Sequence, residues 1–239
     1  MIDGFSLSLT TRVMKRSEQL REALPSWCRI KEYDQIIIVN WGMHDDVLPM
    51  VNAAGDDRIT VLQVPDQRYF DSGKTRNVGI RYASGYFIQT IDCDFTTDTG
   101  DFLQVIDTSN TKRFYLREPV TPHDRSLKWG GGNCIMPKKA WEEVNGYVEG
   151  LPAWGTEDGD FYKKLESRGY RGSKNLKGLG RIVHDDYLRR TNFPFTGSRE
   201  DGLIGNDAYM KKVDSWTQTH SPVACDIYAK GIVHKNQYI

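Results

Sequence analysis

Phe5-Ser6-Leu7-Ser8-Leu9-Thr10 alternates apolar and polar residues with period two, the pattern of a strand with one covered face. Leu20, Ala23, Leu24 and Trp27 then recur at helical spacing, which predicts an amphipathic helix over about 15–24, limited by Pro25. Ile36 to Val39 is a short β-branched run of the kind buried on both faces, and Ile59 to Val64 reads as a third strand. A helix over about 74–84 and a strand from Tyr86 to Ile91 follow. Strand–helix–strand repetition of this kind implies an α/β domain, with a mostly parallel central sheet and helices on both faces. The second half is patterned differently. Lys128 to Pro137 is glycine-rich and strand-like, residues 138–145 form a short helix stopped by Gly146, and Glu157 to Arg168 forms another with Gly169 just past its end. Arg181 to His184 is a short strand. Beyond Asp186 the periodicity weakens.

Ligands of open α/β sheets bind at the carboxyl ends of the strands. The first strand runs into Thr10-Thr11-Arg12, the second into Asn40-Trp41-Gly42 and the fourth into Asp92-Cys93-Asp94, so these polar endings should converge on one rim. With 239 residues the chain can bury a core without metal or disulfide staples. Thirty-two basic residues balance thirty-two acidic ones, which argues against a general nucleic-acid binder. No apolar run approaches a transmembrane length. The expectation is a soluble, cytoplasmic protein, peripheral to a membrane if its substrate is lipid-linked. Cys28, Cys93, Cys134 and Cys225 are widely spaced and read as reduced, buried small hydrophobes rather than a metal or redox motif.

Four clusters carry candidate chemistry. Asp92-Cys93-Asp94 offers two carboxylates that suit a hard divalent cation, although a plain strand-to-turn transition has the same look. Trp154-Gly155-Thr156-Glu157-Asp158-Gly159-Asp160-Phe161 crowds three acids at a helix start. Acids there complement the helix dipole, and they also supply a general base; the residues alone leave both readings open. His184 follows a strand and precedes two aspartates, a setting that suits manganese. Gly73-Lys74-Thr75-Arg76-Asn77-Val78-Gly79 places cationic and amide groups at a helix start, a plausible phosphate surface without Walker-loop spacing.

Taken in order, these stretches resemble GT-A fold glycosyltransferases of family 2 and their relatives, including chondroitin-polymerase-type domains and the galactosyltransferase catalytic region. Lys74 to Gly79 with Ala83-Ser84-Gly85-Tyr86 resembles the family's Arg-Asn-x-Gly…Ala-x-Gly segment, and Asp92-Cys93-Asp94 stands at its Asp-x-Asp motif. Gly131-Gly132-Asn133, Val144-Asn145-Gly146-Tyr147 and Trp154 to Phe161 resemble the later half. The resemblance implies a single Rossmann-like GT-A domain over 1–190, with a nucleotide-binding half to about 95 and an acceptor and catalytic half over about 96–190. Residues 191–239 would be a C-terminal extension packed on it.

The resemblance also implies roles. Asp94, His184 and Asp92 would hold Mn2+ or Mg2+. Thr10, Thr11, Arg12, Asn40, Lys74, Arg76, Asn77 and Asp92 would surround the donor nucleotide. Asp158 would be the catalytic base and Glu157 its neighbour orienting a sugar, while Trp154, Gly155, Gly132 and Asn133 would meet sugar or acceptor. Where the family often has Asp, this chain has Asn40. The implied activity is metal-dependent, inverting transfer from a nucleotide sugar, a UDP-sugar foremost, to a hydroxyl of a glycan or glycoconjugate. The alternative is a non-catalytic nucleotide- or glycan-binding module of the same fold. A nucleotidylyltransferase would want a glycine-rich phosphate loop where Thr10-Thr11-Arg12-Val13 stands.

Overall fold

The computed structural model describes residues 4–97, 114–117, 132–173, 179–182, 192–195 and 197–239. Its centre is four parallel strands in the order β3 (Ile59–Val64), β2 (Gln35–Trp41), β1 (Leu7–Val13) and β4 (Phe87–Thr90). The expected parallel sheet is therefore present, and both flanks extend it. Beyond β4 lie β7 (Cys134–Pro137) and β6 (Phe114–Arg117), both antiparallel to their inner neighbours, and then β8 (Arg171–Ser173), parallel to β6. Beyond β3 lie β10 (Ala224–Ala229) and β11 (Ile232–Tyr238), an antiparallel hairpin. Two short strands, β5 (Phe95–Thr97) and β9 (Leu179–Arg181), pair apart from this sheet.

Helices cover both faces. On one, α1 (Ser17–Arg29) and α2 (Leu48–Ala54) lie against a core of Leu7, Leu9, Leu24, Trp27, Ile36 and Ile38. On the other, α3 (Ser72–Tyr82), α4 (Lys138–Glu143) and α5 (Glu157–Ser167) enclose Ile37, Val39, Ile88, Met136, Tyr147 and Phe161. The alternation of β1 decides which residue meets which layer: Leu7 and Leu9 face α1, so Ser8, Thr10 and Arg12 face α3. α6 (Arg199–Met210) follows, with Ser198 capping it through the Asp201 N–H.

Several boundaries differ from the sequence pattern for identifiable reasons. β1 continues to Val13 because its ladder with β2 runs on to Asn40. α1 passes through Pro25, which lies on the exposed side, where the carbonyl it leaves unbonded can be hydrated while Leu24 and Trp27 stay buried. The N-cap residue of α1, Arg16, has no acceptor of its own; the Asp45 carboxylate crosses from beyond β2 and accepts the Lys15, Arg16 and Ser17 N–H groups. Of the strand expected over 181–184, only Arg181 falls in β9 (Leu179–Arg181), Ile182 follows it, and Val183 and His184 lie outside the described residues.

Asn77 ties the two halves of the second face together. Its Nδ2 donates to the Tyr147 carbonyl and to Glu149 Oε1, both at 2.8 Å, and its Oδ1 accepts from Trp141 Nε1 and the Tyr147 N–H, both at 2.9 Å. Two donors and two lone pairs are the whole capacity of a carboxamide. Removing it leaves several buried polar groups without partners, each worth on the order of 1–3 kcal/mol. Asn77→Ala is therefore expected to lose about 3 kcal/mol or more of stability, measured by urea unfolding; a loss under about 1 kcal/mol would show that the network relaxes onto other partners.

Candidate active site

The chain runs outward from β1 through β2 to β3 and then returns to the other side of β1 as β4. Strand order reverses there, which opens a crevice at the carboxyl ends of β1 and β4. Arg12, near the end of β1, and Asp92, just past β4, meet in it as an ion pair. Arg12 also donates to the Ile91 carbonyl at 3.4 Å.

The hub of the site is Arg76, on the inner face of α3 and 3% exposed. Its Nη1 lies 2.8 Å from Glu157 Oε1; its Nη2 lies 3.1 Å from Asp158 Oδ1 and 3.7 Å from Asp92 Oδ1. Ser72, one turn earlier on α3, accepts from Arg76 at 2.5 Å and donates to Glu157 at 2.7 Å. The guanidinium also lies over the Tyr147 ring, 5.2 Å from its centroid, and Tyr147 stacks on Phe161 at 4.0 Å. Gly132 roofs the centre: a Cβ there would fall on the Arg76 guanidinium and approach Asp92 and Arg12. Asn133 accepts the Asp92 N–H at 2.8 Å, and Thr90 donates to the Gly132 carbonyl at 3.1 Å, so β4 and β7 carry this roof together.

Three carboxylates thus surround two guanidinium groups, and their titration separates. Burial pushes Asp158 up to about 7, with the Glu157 and Asp92 charges adding to the effect against the pull of Arg76. Burial also opposes the Glu157 charge, but Arg76 and the Ser72 hydroxyl outweigh it and hold Glu157 below its ordinary value. Arg76 is raised despite its burial, because Asp158, Glu157 and Asp92 all favour its charge. Arg12 is lowered by burial and by Arg76. The arrangement provides one permanent carboxylate and one carboxylate poised to exchange a proton near neutrality. The cysteines stay out of this chemistry: all four are free thiols, and burial pushes Cys93 up to about 12 and Cys28 and Cys225 to about 11.

α5 is delivered to this centre by a turn of unusual backbone. Gly155 has φ 104° and Thr156, a β-branched residue, has φ 83°, a conformation that costs on the order of 1–3 kcal/mol for a residue with a Cβ. Thr156 stands at the N-cap yet makes no capping bond. Asn206 of α6 is fully buried against this turn.

Asp158, Glu157, Asp92, Arg12 and Arg76 therefore come together, but several expected contacts take other duties. Arg12 and Arg76 are consumed by ion pairs with carboxylates instead of standing open to a nucleotide. Asn77 is saturated by the protein, as described above. Asn40 is fully buried and donates to Gln63 and to the Asp45 carbonyl. Thr10 packs towards Gly79 and Thr11 is buried within β1, while Lys74 is half-buried at the start of α3. Gly132 and Asn133 build the charged centre and do not face outward. The half-buried Trp154 ring is covered by Arg199, whose guanidinium lies 4.9 Å from its centroid, and Gly155 serves the turn. Ser72 and Asn206 belong to the site without any mark in the sequence beyond the four-residue spacing of Ser72 and Arg76, and the Val144-Asn145-Gly146-Tyr147 stretch did not reveal that Tyr147 lies under the Arg76 guanidinium.

Asp94 is buried, with Oδ2 3.5 Å from Arg16 Nη1. The third expected metal ligand, His184, lies outside the described residues. Among the described residues no group of three or more His, Cys, Asp or Glu side chains is placed to hold a metal ion. A hard cation that keeps several waters and takes oxygens from substrate phosphates needs only one or two carboxylates, so Asp94 and Asp92 fit such an ion in donor type.

Comparison with known proteins bears on this geometry. The catalytic domain of Drosophila β1,4-galactosyltransferase 7, solved with xylobiose, superposes with a TM-score of 0.57 at 17% identity, covering 83% of this chain and 79% of that one. The mannosyltransferase of Pyrobaculum calidifontis, solved with GDP-Man and Mn2+, gives a TM-score of 0.63 at 14% identity over 88% of this chain and 65% of that one. This chain has the GT-A fold. A variant of the Drosophila enzyme, solved with manganese, UDP-Gal and xylobiose, aligns with the same GT-A core at a TM-score of 0.56 and 15% identity, over 82% of this chain and 78% of that one. Residues 112–185 match the family described as the N-terminal domain of galactosyltransferase. No curated protein sequence matches the chain. Among the described residues of this GT-A domain, no helix is long and apolar enough to cross a membrane.

The raised Asp158 has a consequence for stability. Its value in the fold lies above the ordinary value of an unfolded Asp, so its favourable contribution is complete at acid pH and is lost as pH rises through about 7. Asp158→Asn is expected to melt higher than the parent at pH 8 and to match it more closely at pH 5.5, read by thermal denaturation. Parallel melting curves at both pH values would contradict the buried, crowded charge.

Proposed function

We propose that this chain is a metal-dependent, inverting glycosyltransferase that moves a sugar from a nucleotide sugar, most favourably a UDP-sugar, to a hydroxyl of a glycan or glycoconjugate. The observation that carries this reading is the Arg76-centred trio of carboxylates at the switch point of a GT-A sheet, in which Asp158 is pushed up to about 7. The solved relatives bound to UDP-Gal or GDP-Man and to manganese support the donor class and the cation.

In this reading Asp158 accepts the proton of the acceptor hydroxyl while that oxygen bonds to the anomeric carbon. The bond from that carbon to the diphosphate oxygen breaks, and the nucleoside diphosphate departs with its electron pair. Attack comes from the face opposite the leaving group, which inverts the centre. Glu157, held ionised by Arg76 and Ser72, orients a sugar hydroxyl and keeps the oxocarbenium-like state in a negative field. Arg76 fixes both carboxylates on one guanidinium, so their separation does not depend on mobile side chains. Asp94 and Asp92 would hold a divalent cation, which when bound neutralises charge developing on the diphosphate.

The test is calorimetry of UDP and GDP with and without manganese, on the parent and on Asp94→Ala, followed by turnover of the matching nucleotide sugars by the parent and by Asp158→Asn. Manganese-dependent nucleotide binding should vanish in Asp94→Ala. Asp158→Asn should keep donor binding and lose about 10²–10⁴-fold in kcat, and NMR of the product should show the opposite anomeric configuration to the donor. Normal turnover by Asp158→Asn would remove its role as base. Nucleotide binding without transfer to any acceptor would favour a binding module of the same fold.

A further inference from the structure

We infer that Asn206, on α6, is a positioning residue for Asp158, clamping the left-handed turn from which α5 begins. This rests on the reading of Asp158 as the base. The Asn206 carboxamide grips the turn at successive points: Oδ1 accepts the Ala153 N–H at 3.0 Å, Nδ2 donates to the Ala153 carbonyl at 3.1 Å and the Gly155 carbonyl at 2.9 Å, and Thr156 Oγ1, 3.4 Å from Nδ2, shares one of these two hydrogens. The side chain is completely buried. Only a group that donates and accepts at once can serve both the N–H and the C=O of Ala153, and Asn does so at this length.

The turn needs an external hold. Gly155 and Thr156 are both at positive φ, and Thr156 lacks the glycine freedom that would make this conformation easy. Thr156 makes no capping bond to α5, and its hydroxyl lies 3.4 Å from Asn206 Nδ2. Immediately after the turn come Glu157 and Asp158, so the turn sets where both carboxylates stand. α6 can come this close because position 202 is a glycine; a Cβ there would stand 2.9 Å from the Ala153 Cβ. Asn206 thus touches no reacting atom, and its effect reaches Asp158 through the two backbone residues between Gly155 and Asp158.

The experiment compares Asn206→Ala, the isosteric Asn206→Asp, and Asn206→Ala combined with Thr156→Gly, by steady-state kinetics and by amide exchange of the peptide covering 153–160. Asn206→Ala and Asn206→Asp should lower kcat by about 10- to 100-fold, with donor KM within about twofold of the parent. Exchange should accelerate in 153–160 and stay unchanged in the β1–β4 sheet. Thr156→Gly, which removes the need for the clamp, should recover most of the lost kcat in the Asn206→Ala background. Unchanged kcat in both single variants, while Asp158→Asn is inactive, would overturn the inference. So would losses that Thr156→Gly fails to recover and that track a fall in global stability. If Asp158→Asn itself is fully active, the base assignment is what fails, and unchanged exchange in Asn206→Ala would then show separately that Asn206 does not hold the turn.

Discussion

A guanidinium taken almost wholly out of water must be surrounded by negative charge, and Arg76 meets that requirement by drawing together Asp92, Glu157 and Asp158 from distant parts of the chain. Everything else in the crevice follows from it. Position 132 has to be glycine so that the roof can descend onto the guanidinium. Ser72 is placed one turn earlier to share the charge with Glu157, and Tyr147 lies flat beneath it on Phe161. The charges do not cancel, since two cations face three anions. Buried and pressed by the Glu157 and Asp92 charges, Asp158 takes up the surplus and is pushed up to about 7.

The architecture divides this labour along the chain. β1, α3 and the exit of β4 supply the two guanidinium groups and Asp92, while the start of α5 supplies the other two carboxylates. Asn77 and Asn133 join these contributions through hydrogen bonds, not charge. A carboxamide suits that position because it binds carbonyls and N–H groups alike without adding to an already unbalanced field.

Much of the fold was legible because the parallel strands bury both faces. Ile36 to Val39 and Ile59 to Val64 need no partner information to be read as strands. The flanks were not legible for the complementary reason. β11 is exposed along its length and shows no alternation, and α2 buries only Val51, so neither imposes a pattern. At the site, residue types revealed the acids and the arginines, but not which of them point at one another. Asn77 and Asn40 have the composition of nucleotide contacts and spend their hydrogen bonds inside the protein. Asn206 had no signal at all, since a single amide on a helix obeys no spacing rule and its partners lie some fifty residues earlier.

The pairing of β10 with β3 joins residues 60–63 to 226–229. During synthesis on the ribosome, β1 to β4 are therefore complete long before the strand that covers the outer edge of β3 has been made. That edge stays open to mispairing until residues 226–229 have been made. α6 emerges equally late, so the nascent chain carries Glu157 and Asp158 for some time before the element that seats them exists. Such non-local closure slows folding, and it also ties the finished geometry of the crevice to residues made some fifty positions after the turn they hold.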